Sequence, residues 1–168
     1  MRSATGRGEP GRIGRLLGRN LAEGLHRLTA LGVVGLAAEL ALTRHWQKWD
    51  QGLVWLFTAS LAWSWWALRP RGRYGQGADA AGRRLASRLA AVAAGGGALG
   101  VVMHVKGNLS AAPLDAVYGR LWEAMPAWER LWLAVSMRVG PAPALASGAL
   151  VLLGGMVWLL AKAEAEPA

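Results

Sequence analysis

The chain has 168 residues, no cysteine, 54% hydrophobic residues, a positive mean hydropathy and a net charge of +9. That length is the length of one domain, and the missing thiols exclude a disulfide framework, thiol catalysis and cysteine-ligated metal. A soluble core does not reconcile such apolarity with such charge, whereas apolar membrane spans with basic flanks do.

Residues 1–24 are rich in glycine and arginine and form a basic tail. Ile13, Leu16, Leu17 and Leu21 recur at helical spacing between Arg12, Arg15 and Arg19. This spacing fits a short interfacial helix on anionic lipid. The interspersed glycines weaken it, so a disordered tail is the competing expectation. Residues 25–168 then form a membrane domain with four apolar stretches, Leu25–His45, Gly52–Leu68, Leu85–Val105 and Ala142–Ala161. Each approaches the ~20 residues that a helix needs to cross the hydrocarbon core. The first is too long, and too poorly followed by a cleavage site, for a removed signal peptide; it is expected to stay as a span.

The second span carries Trp55, Trp63, Trp65 and Trp66, with Trp46 and Trp49 just before it. An indole prefers the headgroup level, so these residues are expected to form an anchor belt. The loop before the fourth span is patterned. Leu114, Val117, Tyr118, Leu121, Trp122 and Met125 make one helical face; Trp128, Leu131, Trp132 and Val135 make a second, after Pro126. Two short amphipathic helices lying at the outer surface are predicted.

The basic residues alternate between the loops. The N-terminal tail with Arg27 just beyond it, the 69–84 loop with Arg88 just beyond it, and Lys162 hold thirteen of the nineteen; the 43–51 and 106–141 loops hold the other six. Basic loops stay cytoplasmic. The expected orientation therefore has both termini cytoplasmic in a bacterial inner membrane. The pI near 11.4 does not signal nucleic acid, because the arginines flank spans and no recognition module accompanies them.

Small residues stripe three spans: Gly32 and Gly35 in the first, Gly96, Gly97 and Gly100 in the third, Ala144, Gly148 and Gly155 in the fourth. In lipid such residues let helices approach closely, so the stripes are expected to face the bundle interior. Polar residues ride with them. Glu39 is the only carboxylate inside a span, about 9 Å below His45 at 1.5 Å per residue. His104 and Asn108 lie one turn apart at a depth near that of His45. Glu39, His45, His104 and Asn108 are thus candidates for an outward-facing polar cluster. It is read either as a hydrogen-bond network fixing helix register or as a site for a b-type haem, a quinone headgroup or a proton relay. Against haem stands the position of His45, roughly 120° around from the Glu39 face. A metal set of His45, His104 and Asp50 is weaker still. No phosphate loop, metalloprotease motif, serine elbow or paired intramembrane carboxylates point to an enzyme.

His104-Val105-Lys106-Gly107-Asn108 closes the third span, and Gly140-Pro141-Ala142-Pro143-Ala144-Leu145-Ala146-Ser147-Gly148 leads into the fourth. With Ala38-Glu39 and His45, these segments resemble a family of uncharacterised bacterial four-span membrane proteins sharing an H-x-x-G-N turn. The resemblance implies the fold and an outer-face site, and no activity. The family's acidic run after the asparagine is replaced here by Leu109-Ser110-Ala111-Ala112-Pro113-Leu114-Asp115.

The expectation is an all-α four-helix transmembrane bundle with two interfacial helices in its outer loop. It points to a non-enzymatic accessory or scaffold subunit that packs on a membrane-protein partner or on its own copies, with anionic lipid at the basic tail. The alternatives are a redox- or quinone-linked protein and, behind it, a small permease.

Overall fold

The computed structural model describes residues 12–47, 49–69, 78–136, 138–140 and 145–163. They are all-helical, without strands. The long helices are α1 (Arg12–Leu42), α2 (Trp49–Ala67), α3 (Ala80–Ala111) and α5 (Leu145–Ala163), with the short α4 (Ala127–Val135) between the last two. Two 3-10 turns, Ala112–Leu114 and Gly119–Ala124, join α3 to α4.

Local chemistry sets several helix ends. Asp79 caps α3 by accepting a hydrogen bond from the Gly82 amide at 2.7 Å. Beyond α1, the His45 amide returns to the Leu40 carbonyl at 2.9 Å and the Arg44 amide to Ala41 at 3.1 Å. Arg44 takes φ 51° between them, so α1 ends in a Schellman turn with arginine where glycine is usual. Pro126 caps α4, and the helix begins directly after it.

Four helices form a ring in the order α1, α2, α3, α5, with α3 and α5 sharing the most extensive interface. Across the ring, α2 touches α5, while α1 and α3 sit at opposite corners. The core runs through Leu36 and Leu40 of α1, Leu61 and Leu68 of α2, Ala86, Ala90 and Ala93 of α3, and Leu150, Leu153, Val157 and Leu160 of α5. Alanine and glycine on α3 bring its backbone against α5. A Cβ on Gly97 would stand 2.6 Å from the Ser147 carbonyl oxygen, and one on Gly154 would stand 2.7 Å from that of Ala90.

Asn20–Leu42, Ala80–Leu114 and Leu145–Ala163 are each long and apolar enough to cross a membrane. Their outward faces remain apolar: Leu31, Val34, Val92, Leu99, Val102, Leu152 and Leu159 are all exposed. Of an apolar run of 18 residues in each, only 22% in the first two and 39% in the third is buried within the protein. Apolar helices that bury so little of themselves require an apolar surrounding, as in a membrane protein.

Several predicted boundaries move. Residues 12–24, expected as a tail or a separate interfacial helix, continue α1 without a break from Arg12. The 25–45 stretch stops as a helix at Leu42, and 85–105 extends to 80–111. The first predicted outer helix is not an α-helix. Asp115 Oδ1 accepts the amides of Val117 and Tyr118 at 2.8 and 2.9 Å, turning the chain where a helix would need those donors. Gly119 then passes so close to Pro113 that a Cβ would meet its carbonyl oxygen at 2.5 Å. The apolar periodicity survives as two 3-10 turns, with Trp122 buried and Leu114, Val117 and Leu121 exposed.

Candidate functional site

The described residues between Ala112 and Gly140 pack as a cap with its own small core of Ala112, Trp122, Leu133, Ala134 and Val139, joined to Val105 and Leu109 of α3. Arg130 holds the cap together. Its guanidinium lies 5.9 Å from the Trp122 ring centre and donates to the carbonyls of Met125 at 2.8 Å and Glu123 at 3.0 Å. Those carbonyls end the second 3-10 turn, where the backbone has no partner of its own.

Asn108 ties this cap to the bundle. It is fully buried, and its side-chain NH2 donates to the Ala134 carbonyl at 3.0 Å. Gly140, at φ +77°, packs on it so tightly that a Cβ would stand 2.5 Å from Oδ1. The fourth candidate of the polar cluster is therefore engaged in holding α4 and the approach to α5.

The other three candidates lie at the same end of the molecule. His45 is half-buried in the turn after α1, and His104 is half-buried on α3. The His45 carbonyl accepts the Trp55 indole N–H at 2.7 Å. Glu39 is half-buried on α1, at the corner opposite α3, and its carboxylate makes no hydrogen bond among the described residues. No group of three metal-ligating side chains occurs among the described residues. The side chain of Asp50 lies outside them.

The glycines expected at helix contacts divide. Gly32 meets Leu153 of α5, Gly96 meets the Phe57 ring of α2, and Gly100 meets the Ser147 side chain. Gly35, Gly148 and Gly155, expected to face inward, have open space where a Cβ would stand. The cause is the rotation of α5: Ser147, Leu150 and Gly154 face α3 and the core, which turns 148 and 155 away. Gly97, which the third-span stripe included, and Gly154, which no stripe included, make the closest backbone approaches between the long helices.

The tryptophans also divide. Trp63 and Trp66 are exposed, and Arg69 lies over the Trp66 ring at 4.3 Å. Trp65 and Trp55 bond to α1 and its turn instead. The Trp65 indole donates to the His26 carbonyl at 3.0 Å and stacks on the His26 ring at 5.0 Å. α2 is thus pinned at both ends of the stretch from His26 to His45.

On the far side of the cap, α4 turns Trp128, Leu131, Trp132 and Val135 outward as one apolar face lining a shallow groove. The two tryptophans are 71% and 64% exposed, while Leu133 and Ala134 on the opposite face are buried.

No protein family, curated protein or solved structure matches this chain.

Proposed function

We propose that the chain is a four-span integral protein of a bacterial cytoplasmic membrane, with both termini inside, acting as a non-enzymatic accessory or scaffold subunit. The fourth span is α2. At 19 residues it is as long as α5, and its bonds to the His26 and His45 carbonyls support its running the depth of the α1 span. The bias of thirteen basic residues against six supports the orientation. The cap then lies outside, and the exposed tryptophans of α4 rest in the headgroup layer of the outer leaflet.

The observation that carries the scaffold role is the pair Gly148 and Gly155. They lie two turns apart on α5, and among the described residues nothing stands within 4 Å of where a Cβ would be on either. Inside the bundle the glycines seat neighbouring helices. On the outward face they leave a place where a helix of a partner or of a second copy comes close. The test is pull-down and native mass spectrometry in mild detergent. The intact protein should retain a membrane-protein partner or a second copy, and Gly148→Leu/Gly155→Leu should release it without unfolding. A lone monomer throughout would overturn the scaffold role.

A second reading, favoured by the half-buried imidazoles of His45 and His104 at one end of the molecule, is a redox- or quinone-linked site there. An absorption spectrum separates the haem form of this reading from the scaffold: a Soret band abolished by His104→Ala would establish it, and a featureless spectrum of protein purified from its membrane would remove it.

A further inference from the structure

At the arginine-bearing end, opposite the cap, the first turns of α3 and the last turn of α5 enclose a pocket that none of the preceding roles uses. It is lined by Ala80, Arg83, Arg84, Ser87, Ala161 and Lys162. Three of the six are cations, one is a hydroxyl donor and none is acidic. The two alanines carry no side chain long enough to fill the space between the cations. Arg83 is fixed in place, because its Nη1 donates to the Ala78 carbonyl at 2.8 Å. That bond uses one of its five N–H groups and leaves the others available. The nearest acid in the α3 approach, Asp79, is engaged by the Gly82 amide.

The depth of the pocket follows from its neighbours. Lys162 Nζ lies 5.3 Å from the ring of Trp158, one turn deeper on α5. Arg69 stands in the same relation to Trp66 at the end of α2. A tryptophan with a cation on its water side is the arrangement favoured where hydrocarbon gives way to headgroups. The pocket opens at that level.

We propose that this pocket binds the phosphate of an anionic phospholipid headgroup, held by Arg84 and Lys162 from two helices with Arg83 and Ser87 completing the donors. Basic pockets between membrane helices on the cytoplasmic side suit such headgroups. Arginine and lysine together give both a forked and a rotatable donor to the phosphate oxygens. The bound lipid would bridge the start of α3 and the end of α5, the two helices already most closely packed. This inference rests on the membrane-spanning reading above.

The test uses the full-length protein, delipidated in detergent and titrated with cardiolipin, phosphatidylcholine or inorganic phosphate, read by native mass spectrometry. Cardiolipin should bind with a preference over phosphatidylcholine of about tenfold or more, and Arg84→Gln/Lys162→Gln should remove that preference. Arg84→Lys/Lys162→Arg, which keeps both charges, should retain it, as should Arg120→Gln at the cap. Equal binding of the two lipids overturns the proposal, and so does cardiolipin binding unchanged in the double Gln variant. Displacement of cardiolipin by millimolar inorganic phosphate overturns the lipid as the source of the phosphate. A separate measurement keeps the two readings apart: protein that stays in aqueous solution without detergent refutes the membrane reading itself, whereas a detergent-dependent protein with no lipid preference refutes only the pocket.

Discussion

Gly97 and Gly154 sit where the backbones of α3 and α5 meet. A methyl group at Gly97 would press on the Ser147 carbonyl, and one at Gly154 on the Ala90 carbonyl. Backbone cannot yield as a side chain does. Gly97→Ala and Gly154→Ala should each destabilise by about 1–3 kcal/mol, seen as a lower thermal midpoint in detergent. Gly148→Ala and Gly155→Ala meet nothing. They should leave the midpoint unchanged or raise it, since alanine is favoured over glycine in a helix by up to about 1 kcal/mol. Arg44 gives the converse case. It holds a left-handed conformation that costs a non-glycine residue about 1–2 kcal/mol. Part of the relief in Arg44→Gly is offset by the freer unfolded chain. A net gain of about 0.5–1 kcal/mol is expected, and an unchanged or lower midpoint would contradict this account of the turn.

At the scale of the element, the bond from Asn108 to Ala134 decides whether the cap is a fixed part of the molecule. Asn108→Ala leaves the Ala134 carbonyl without its donor, a loss of about 1–3 kcal/mol for a buried group. Asn108→Asp should be worse, because it sets carboxylate oxygen against carbonyl oxygen. Hydrogen exchange should accelerate in α4 and leave α1 and α2 unchanged; uniform acceleration would show that the cap is not a separate unit. The sequence foretold the long helices because a run of apolar residues has one solution in lipid. It foretold α4 from Pro126 and the tryptophan spacing. The turn at Asp115 was hidden, because apolar periodicity does not register a side chain that captures two backbone amides. The inward pair on α5 was hidden for a related reason. Ser147 and Gly154 lie beside Gly148 and Gly155 in sequence, and which of the two pairs faces α3 depends on how α5 rotates against its neighbours in the ring. The candidate polar residues were legible as one end of the molecule. Their partners were not, because Asn108 finds its acceptor 26 residues away.

For the molecule as a whole, the absence of cysteine makes topology directly measurable, since one introduced thiol is the only one present. Arg120 and Arg84 are exposed at opposite ends. With an impermeant maleimide on intact spheroplasts, Arg120→Cys should label and Arg84→Cys should label only after permeabilisation. The reverse pattern would invert the proposed orientation, and labelling of both in intact cells would refute a bilayer between them.

The contact of α2 with α5 across the ring has a further consequence. Two opposite walls that meet leave no axial conduit between them, and the remaining corners, α1 and α3, are kept apart by that same contact. A solute passing through a single copy would have to part α2 from α5, so any permeation route built from this chain belongs at a seam between copies rather than along the axis of one.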